Sequence, residues 1–489
     1  MYVLKLNQNR TPLFDALKKY IDDQPTPFHV PGHKQGRGIL ELRDYIGEMA
    51  LKMDVNGMND LDYFNNPSGV ILESEKLYAD AFGSDEAFFL VNGTTSGVQA
   101  MILSTCDPGD EIIIPRNAHR STLSGLILSG AKPVYVQPEI NKQLGVAMGV
   151  TTESISKAIE EHPNAKAVFI INPTYYGYAS NIGEIVKLAH RNNMAVLVDE
   201  AHGAHMYFHR DFPLTAMAAG ADMSASSVHK TGGSLTQSSI LLLNSSRISK
   251  DRVRKVLDLI HTSSASYLLM CSLDIARKQL VVNGKAMLSN ILELSNWARE
   301  EINKICNVYA FGQELVGSPG CFDFDDTKLG INVANLGYTG FEMENKLRDE
   351  YNIQIELADI YNILNIISLG DRREDLEKLI FALRDISLKN SGKSFKNNIP
   401  IPNFTETRFY PREAFYSPKK SIELEKAIGM ISGEVIMAYP PGIPIICMGE
   451  VITKEIIDYL KELKEQKCHI QGNSDPKLEY INVLDIKMH

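Results

Sequence analysis

Ala195-Val196-Leu197-Val198-Asp199-Glu200-Ala201-His202-Gly203 is an unbroken apolar run that ends on a pair of acids. A strand that is apolar at every position, not at alternate ones, is buried on both faces, and both faces of a sheet are covered chiefly when its strands run parallel and are joined by helices. Outward from this stretch, similar runs recur at 88–91, 112–114, 134–136, 167–171 and 240–243, with helix-length segments between them. Asp107-Pro108-Gly109-Asp110 and Asn192-Asn193 are turns that feed two of these strands. The region from about residue 85 to 245 therefore predicts an α/β unit around a largely parallel sheet.

The chain has 489 residues, more than one hydrophobic core usually serves, so two or more cores are expected. Lys and Arg number 50 against 60 Asp and Glu, a formal charge of −10, and there is no basic stripe to neutralise phosphates. Nucleic acid is not an expected partner. With 44% hydrophobic and 22% charged residues, the bulk of the chain folds. No apolar run approaches the length of a membrane span, and residues 1–10 lack an apolar signal core, so no membrane association and a cytoplasmic location are expected. The six cysteines are scattered, without C-x-x-C pairs, which argues against disulfides and against any metal site.

Beyond the sheet, Met287, Ile291, Leu294, Ala298, Ile302 and Ile305 recur at helical spacing and predict a long helix over 284–306, leading from the large unit into a smaller one. Residues 387–403 replace that periodicity with Lys, Asn, Ser, Gly and Pro and read as a linker. The third unit behind it contains the proline-rich turn Tyr439-Pro440-Pro441-Gly442-Ile443-Pro444 and a helix capped by Thr453 that buries Ile456, Ile457, Leu460 and Leu463. The expected divisions are an N-terminal arm over 1–60, a large domain over 61–300, a small domain over 301–390 and a C-terminal domain over 400–489.

Three segments that follow buried strands carry chemistry, and α/β sheets bind ligands beyond the C-terminal ends of their strands. Val91-Asn92-Gly93-Thr94-Thr95-Ser96-Gly97 joins a glycine turn, three hydroxyls and a helix start, which suits either a phosphate cradle or simple helix capping. Asp199 ends a strand where a carboxylate can keep a cofactor nitrogen protonated; a helix cap or a Mg²⁺ ligand are its alternatives, the latter weakened because the chain has no G-x-x-x-x-G-K-[ST]. Ser226-Ser227-Val228-His229-Lys230-Thr231-Gly232-Gly233 sets a lysine among hydroxyls, a histidine and glycines; its amine can condense with an aldehyde, although most lysines are solvated surface residues. Phosphate cradle, acid and amine in this order are what pyridoxal 5′-phosphate requires. His119, in Pro115-Arg116-Asn117-Ala118-His119-Arg120-Ser121, adds a flat ring that can stack on a pyridine or simply be hydrogen-bonded in a loop.

With these segments and with Pro27-Phe28-His29-Val30-Pro31-Gly32-His33-Lys34-Gln35-Gly36, Asn172-Pro173-Thr174-Tyr175-Tyr176-Gly177 and the proline-rich turn, the chain resembles the pyridoxal-phosphate-dependent decarboxylases of ornithine, lysine and arginine over nearly its whole length. The resemblance implies a fold-type I, aspartate-aminotransferase-like large domain with a mostly parallel seven-stranded sheet, a smaller α+β domain and a C-terminal α+β domain. It implies decarboxylation of a basic amino acid, with Lys230 as the Schiff-base lysine, Asp199 as partner of the pyridine nitrogen and His119 as the stacked ring. Thr94, Thr95, Ser96 and Ser227 would bind phosphate, Ala201 would pack under the ring, His202 would sit close to the cofactor, and His229 would touch phosphate or substrate. Family-like sequence begins near Thr11 in TPLFDALKKY, where longer family members carry an extra domain first. That resembles the short biosynthetic arginine decarboxylases of polyamine synthesis and implies a homodimer, or a multiple of dimers, with shared active sites. Thr262 and Ser264, in His261-Thr262-Ser263-Ser264-Ala265-Ser266, would reach the partner's phosphate, and Glu356 and Asp359 are candidates for the cationic tail of the substrate. Lysine or ornithine as substrate, an aminotransferase or lyase of the same fold, and a binding protein on a catalytically dead fold are the competing readings; intact Lys230 and Asp199 argue against the last.

Overall fold

The computed structural model describes residues 4–244, 246–390, 405–438, 443–465 and 470–486. Seven strands, β1 Glu86–Leu90, β2 Glu111–Pro115, β3 Lys132–Val136, β4 Ala167–Ile171, β5 Ala195–Asp199, β6 Met223–Ser226 and β7 Ser239–Leu243, form one sheet in the order β1-β7-β6-β5-β4-β2-β3. Every strand runs in one direction except β7, which is antiparallel to both of its neighbours. The expected mostly parallel sheet is present, and β6, with the sequence Met-Ser-Ala-Ser, is a central strand that apolar runs alone do not reveal.

The continuous apolar runs do what two-sided burial requires. Side chains of a strand point alternately to opposite faces. Accordingly Phe89, Ile113, Val168, Val196 and Leu242 enter one core, while Phe88, Ile112, Phe169, Leu197 and Leu241 enter another on the opposite face. The 37-residue helix Tyr267–Asn303 joins the units: Met270, Leu273 and Ala276 belong to the first core, and Leu288, Ile291 and Ile302 to a third. This helix begins 17 residues before the expected start at 284. Its first half hides two charges that break the apolar pattern, Asp274 and Arg277, both fully buried. They hold the N-terminal arm. Asp274 Oδ2 accepts from the backbone N–H groups of Leu13 and Phe14 at 3.1 and 3.3 Å, capping the helix Pro12–Asp22 whose own Thr11 provides no side-chain cap. Arg277 donates to the carbonyls of Gln8 and Arg10.

The third core fills the space between the second half of that helix and a four-stranded antiparallel sheet built from Tyr309–Ala310, Lys328–Asn332, Asn362–Ile366 and Leu357–Ala358. At the C-terminal side, the helix Lys454–Glu465 starts where expected, with Thr453 Oγ1 accepting from Ile456 N at 3.4 Å and with Ile456, Ile457, Leu460 and Leu463 buried. Of the expected linker, 387–389 are the end of the helix Arg373–Lys389, and 391–403 lie outside the described residues, as do residues 439–442 of the proline-rich turn. Among the described residues no helix is long and apolar enough to cross a membrane.

Candidate active site

The C-terminal ends of β1, β2, β4, β5 and β6, together with the entry to the reversed strand β7, converge on one cavity of about 360 Å³. β1 leads to Gly93, Thr94 and Thr95; β2 to Asn117 and His119; β4 to Tyr175 and Tyr176; β5 to Asp199, Ala201 and His202; and β6 to Ser227, His229 and Lys230. Parallel strands place the five connections on the same side, so residues up to 137 positions apart in sequence meet here.

At one end, the 13-residue helix Gly93–Thr105 begins without a side-chain cap; the Gly93 N–H donates to the Gln237 carbonyl at 2.8 Å, and the helix ladder leaves the N–H groups that follow in the first turn for another acceptor. Gly93 takes φ +70°, a backbone conformation that suits glycine, and a Cβ there would meet the Gln237 carbonyl oxygen at 3.9 Å. Beside it, the Thr94 and Ser227 hydroxyls lie 2.6 Å apart. Ser96 departs from expectation. It stands a further 100° around the helix, its hydroxyl donates to the Gly93 carbonyl at 2.9 Å and meets His261 Nε2 at 3.3 Å, and it is not in the cavity wall.

At the other end, Asp199 is 5% exposed and its Oδ1 accepts from Ala201 N at 3.1 Å. Burial pushes this carboxyl upward, against the opposing pull of His119 and Lys230. His119 caps the helix Arg120–Ser129 by accepting from Ser121 N through Nδ1, and burial lowers its proton affinity, so it is held as a neutral ring. Lys230 Nζ donates to His202 Nε2 at 2.9 Å and lies 5.2 Å from the Tyr175 ring centre. Burial lowers the Lys230 pKa and outweighs Asp199 and Glu356, which raise it; burial likewise holds His202 well below the imidazole range, with the Lys230 charge adding to the effect. His229 Nδ1 donates to the Ser238 carbonyl at 2.8 Å, which leaves Nε2 free as an acceptor.

The structure separates the two acids proposed for the substrate tail. Glu356 is exposed and close enough to act on Lys230 electrostatically. Asp359 is buried and occupied: it accepts from the Tyr176 hydroxyl and from the backbone N–H groups of Tyr361 and Asn362, each of the latter at 2.7 Å. These contacts tie Asp359 into the turn at 359–362 and away from the cavity lining, contrary to its expected place at the substrate tail. Thr262 and Ser264 are exposed and lie outside the cavity of their own chain, Thr262 Oγ1 accepting from Ser264 N at 3.1 Å.

Two supports were not read from the sequence. Asp325 and Lys328 are fully buried 2.5 Å apart, with His205 Nε2 3.1 Å from the same carboxylate, and the Lys328 charge is one reason Lys230 and His202 resist protonation. Glu200, next to Asp199, accepts from Tyr207, Ser224 and the Ala216 N–H at 2.5–2.8 Å, and burial pushes its pKa up to about 7. A carboxyl whose folded pKa exceeds its ordinary 4.5 favours folding below pH 4.5 and loses that contribution as pH rises through 7, by about 3 kcal/mol when complete. Glu200→Gln is therefore expected to flatten this part of the stability profile between pH 4.5 and 8, read as thermal midpoints of wild type and variant. An unchanged profile would show that Glu200 does not titrate there.

Comparison with known proteins places these features in company. The Orn/Lys/Arg decarboxylase major-domain family matches residues 11–329, and the C-terminal domain of the same family matches 399–475. Arginine decarboxylase of Bacillus subtilis (strain 168) is 44% identical over 483 residues, covering 98% of this chain and 99% of that protein. Constitutive lysine decarboxylase of Escherichia coli (strain K12) is 23% identical, covering 95% of this chain and 79% of the other. Among solved structures, Francisella novicida lysine decarboxylase superposes with TM-score 0.86 at 21% identity over 97% of this chain and 81% of its own, and an alanine–glyoxylate aminotransferase from Nostoc sp. with TM-score 0.53 at 16% identity over 69% and 91%.

Proposed function

This chain belongs to the Orn/Lys/Arg decarboxylase family, and on that premise we propose that it converts L-arginine to agmatine and carbon dioxide, supplying polyamine synthesis, with pyridoxal 5′-phosphate held in the strand-end cavity. Relatedness carries the choice of arginine: the similar proteins named arginine decarboxylase are nearly twice as identical to this chain as those named lysine decarboxylase. The residues present fit the cofactor. An uncapped helix start with Thr94, Thr95 and Ser227 suits a phosphate, a buried carboxylate suits a ring nitrogen, and a desolvated amine suits an aldehyde.

When bound, the cofactor supplies an electron sink for the pair left on Cα as carbon dioxide departs. Lys230, whose protonation burial disfavours, would hold the cofactor's aldehyde through Nζ. Asp199 would hold the ring nitrogen and favour its protonated form, and the neutral ring of His119 would line the cofactor's ring. Lys230 Nζ and His229 are positioned at the cavity to move a proton to Cα. Glu356 meets the guanidinium from the rim. The enzyme works as a homodimer, or a multiple of dimers, in which Thr262 and Ser264 reach the partner's phosphate. Exposed apolar side chains of the arm, with Phe28 92% and Tyr45 90% exposed and Val30, Leu40 and Met49 nearby, supply the kind of surface that a second copy covers.

Competition between equal concentrations of arginine and lysine, with both amines quantified, tests the substrate. Agmatine is expected to predominate; predominant cadaverine would transfer the enzyme to lysine.

A further inference from the structure

Behind His119, which also walls the first cavity, lies a second one of about 340 Å³ between the helix Arg120–Ser129 and the C-terminal unit. Leu123 and Leu126 face it from the helix, and Phe415, Val435, Met437 and Met448 from the other side. The contact that encloses it is fixed, because Arg116 and Glu450, 3% and 2% exposed, form a two-pronged ion pair across the same junction, and Glu450 also accepts from Cys447 N at 2.8 Å.

One carboxylate, Glu434, stands in this largely apolar wall and is 6% exposed. Its Oε2 accepts from the Ser474 hydroxyl and N–H at 2.5 and 3.2 Å, whereas Oε1 is buried with no hydrogen-bond partner among the described residues. A buried carboxylate oxygen without a donor costs free energy that a native site ordinarily recovers from a partner. The neighbouring cations do not supply one. Arg116 is committed to Glu450, Lys419 Nζ donates to the Phe415 and Ser417 carbonyls at 2.6 and 3.2 Å, and Arg120 is exposed at the rim. A divalent metal is a poor match, since it requires about six oxygens and this wall presents a single carboxylate among the described residues.

We propose that this second cavity binds a small aliphatic cation, an ammonium or guanidinium on a methylene chain, with its charge on Glu434 Oε1 and its chain against Leu123, Met437 and Met448. The cation comes either from the substrate or from the amine product, a choice of probes that rests on the function proposed above. Because His119 forms part of both walls, occupancy of the second cavity acts on the first.

The test is a count of labelled agmatine bound per chain of holoenzyme, by equilibrium dialysis, for wild type, Glu434→Gln and Leu123→Trp, the last filling the cavity without touching the carboxylate. Each variant is expected to bind one agmatine fewer per chain, through a loss of affinity of roughly tenfold or more at that site, and Glu434→Gln, which leaves the cavity empty, to keep the uninhibited rate. A decline from two to one supports both readings, whereas a decline from one to zero supports the second cavity and counts against the arginine chemistry. An undiminished count in both variants overturns the proposal. In the kinetic arm, a fall in wild-type rate at high arginine, absent from the variants, identifies the amino acid as occupant; mixed inhibition by agmatine that becomes competitive in the variants identifies the product. Identical kinetics in all three proteins overturns the coupling through His119.

Discussion

Lys230→Ala is expected to yield a folded protein that no longer releases carbon dioxide from arginine at a measurable rate, a loss of at least roughly 10³-fold. The fold survives because the side chain does little for it: Lys230 ends in a cavity, where its Nζ meets His202 Nε2 at 2.9 Å and lies 5.2 Å from the Tyr175 ring centre. Burial has already made the charged form costly, so removing it relieves desolvation and leaves Asp325 and Lys328 paired below. Activity has no such reserve, since no other amine lines the cavity among the described residues. Carbon dioxide release and the thermal midpoint, measured on protein whose mass confirms the substitution, decide the matter. A near wild-type rate would remove Lys230 from the chemistry, and a collapsed midpoint would make it structural.

What could be read from the sequence follows from how local each feature is. The cap at Thr453 and the four apolar positions after it needed only eleven consecutive residues, and they appear as expected. The strands were legible because two-sided burial makes them apolar throughout; β6, where serine alternates with Met and Ala, was legible only as a short strand with a polar end at Ser226 that leads into the site. Charge in the interior was not legible. Asp325-Asp326-Thr327-Lys328 reads as a solvated turn, yet Asp325 and Lys328 are fully buried because His205 and the turn at Gly177, far away in sequence, close over them. Asp274 and Arg277 concealed the first half of the long helix in the same way. Ser96 and Asp359 show the converse limit: residue type identified both as candidates, but only the helix angle of one and the hydrogen-bond partners of the other show that they serve the backbone. Tyr175 and Tyr176 lay in a segment quoted for its resemblance, and their place in the cavity depends on β4 running parallel to β5.

Asp199→Asn is expected to keep the cofactor and lose the rate. The proposed phosphate, ring-stacking and Lys230 contacts would not involve this carboxylate, so the cofactor content of the purified variant should match wild type. The side chain is nearly isosteric, and the acceptor for Ala201 N is retained by the amide oxygen. What disappears is charge. Burial at the end of β5 raises the carboxyl's affinity for a proton even with His119 and Lys230 opposing it, which makes Asp199 a strong acceptor for a proton shared with a ring nitrogen. A neutral amide cannot stabilise that protonated ring, and the penalty falls where negative charge builds up as the Cα–carboxylate bond breaks. Removing a comparable electrostatic stabiliser costs about 3–4 kcal/mol, or 10²–10³ in kcat. In the cofactor-free protein the same substitution exchanges a poorly solvated acid for a neutral group and should leave the thermal midpoint unchanged or raised, which separates a site kept for chemistry from one kept for folding. A kcat within a few-fold of wild type at full cofactor occupancy would rule out Asp199 as the holder of the ring proton, whatever the midpoint does.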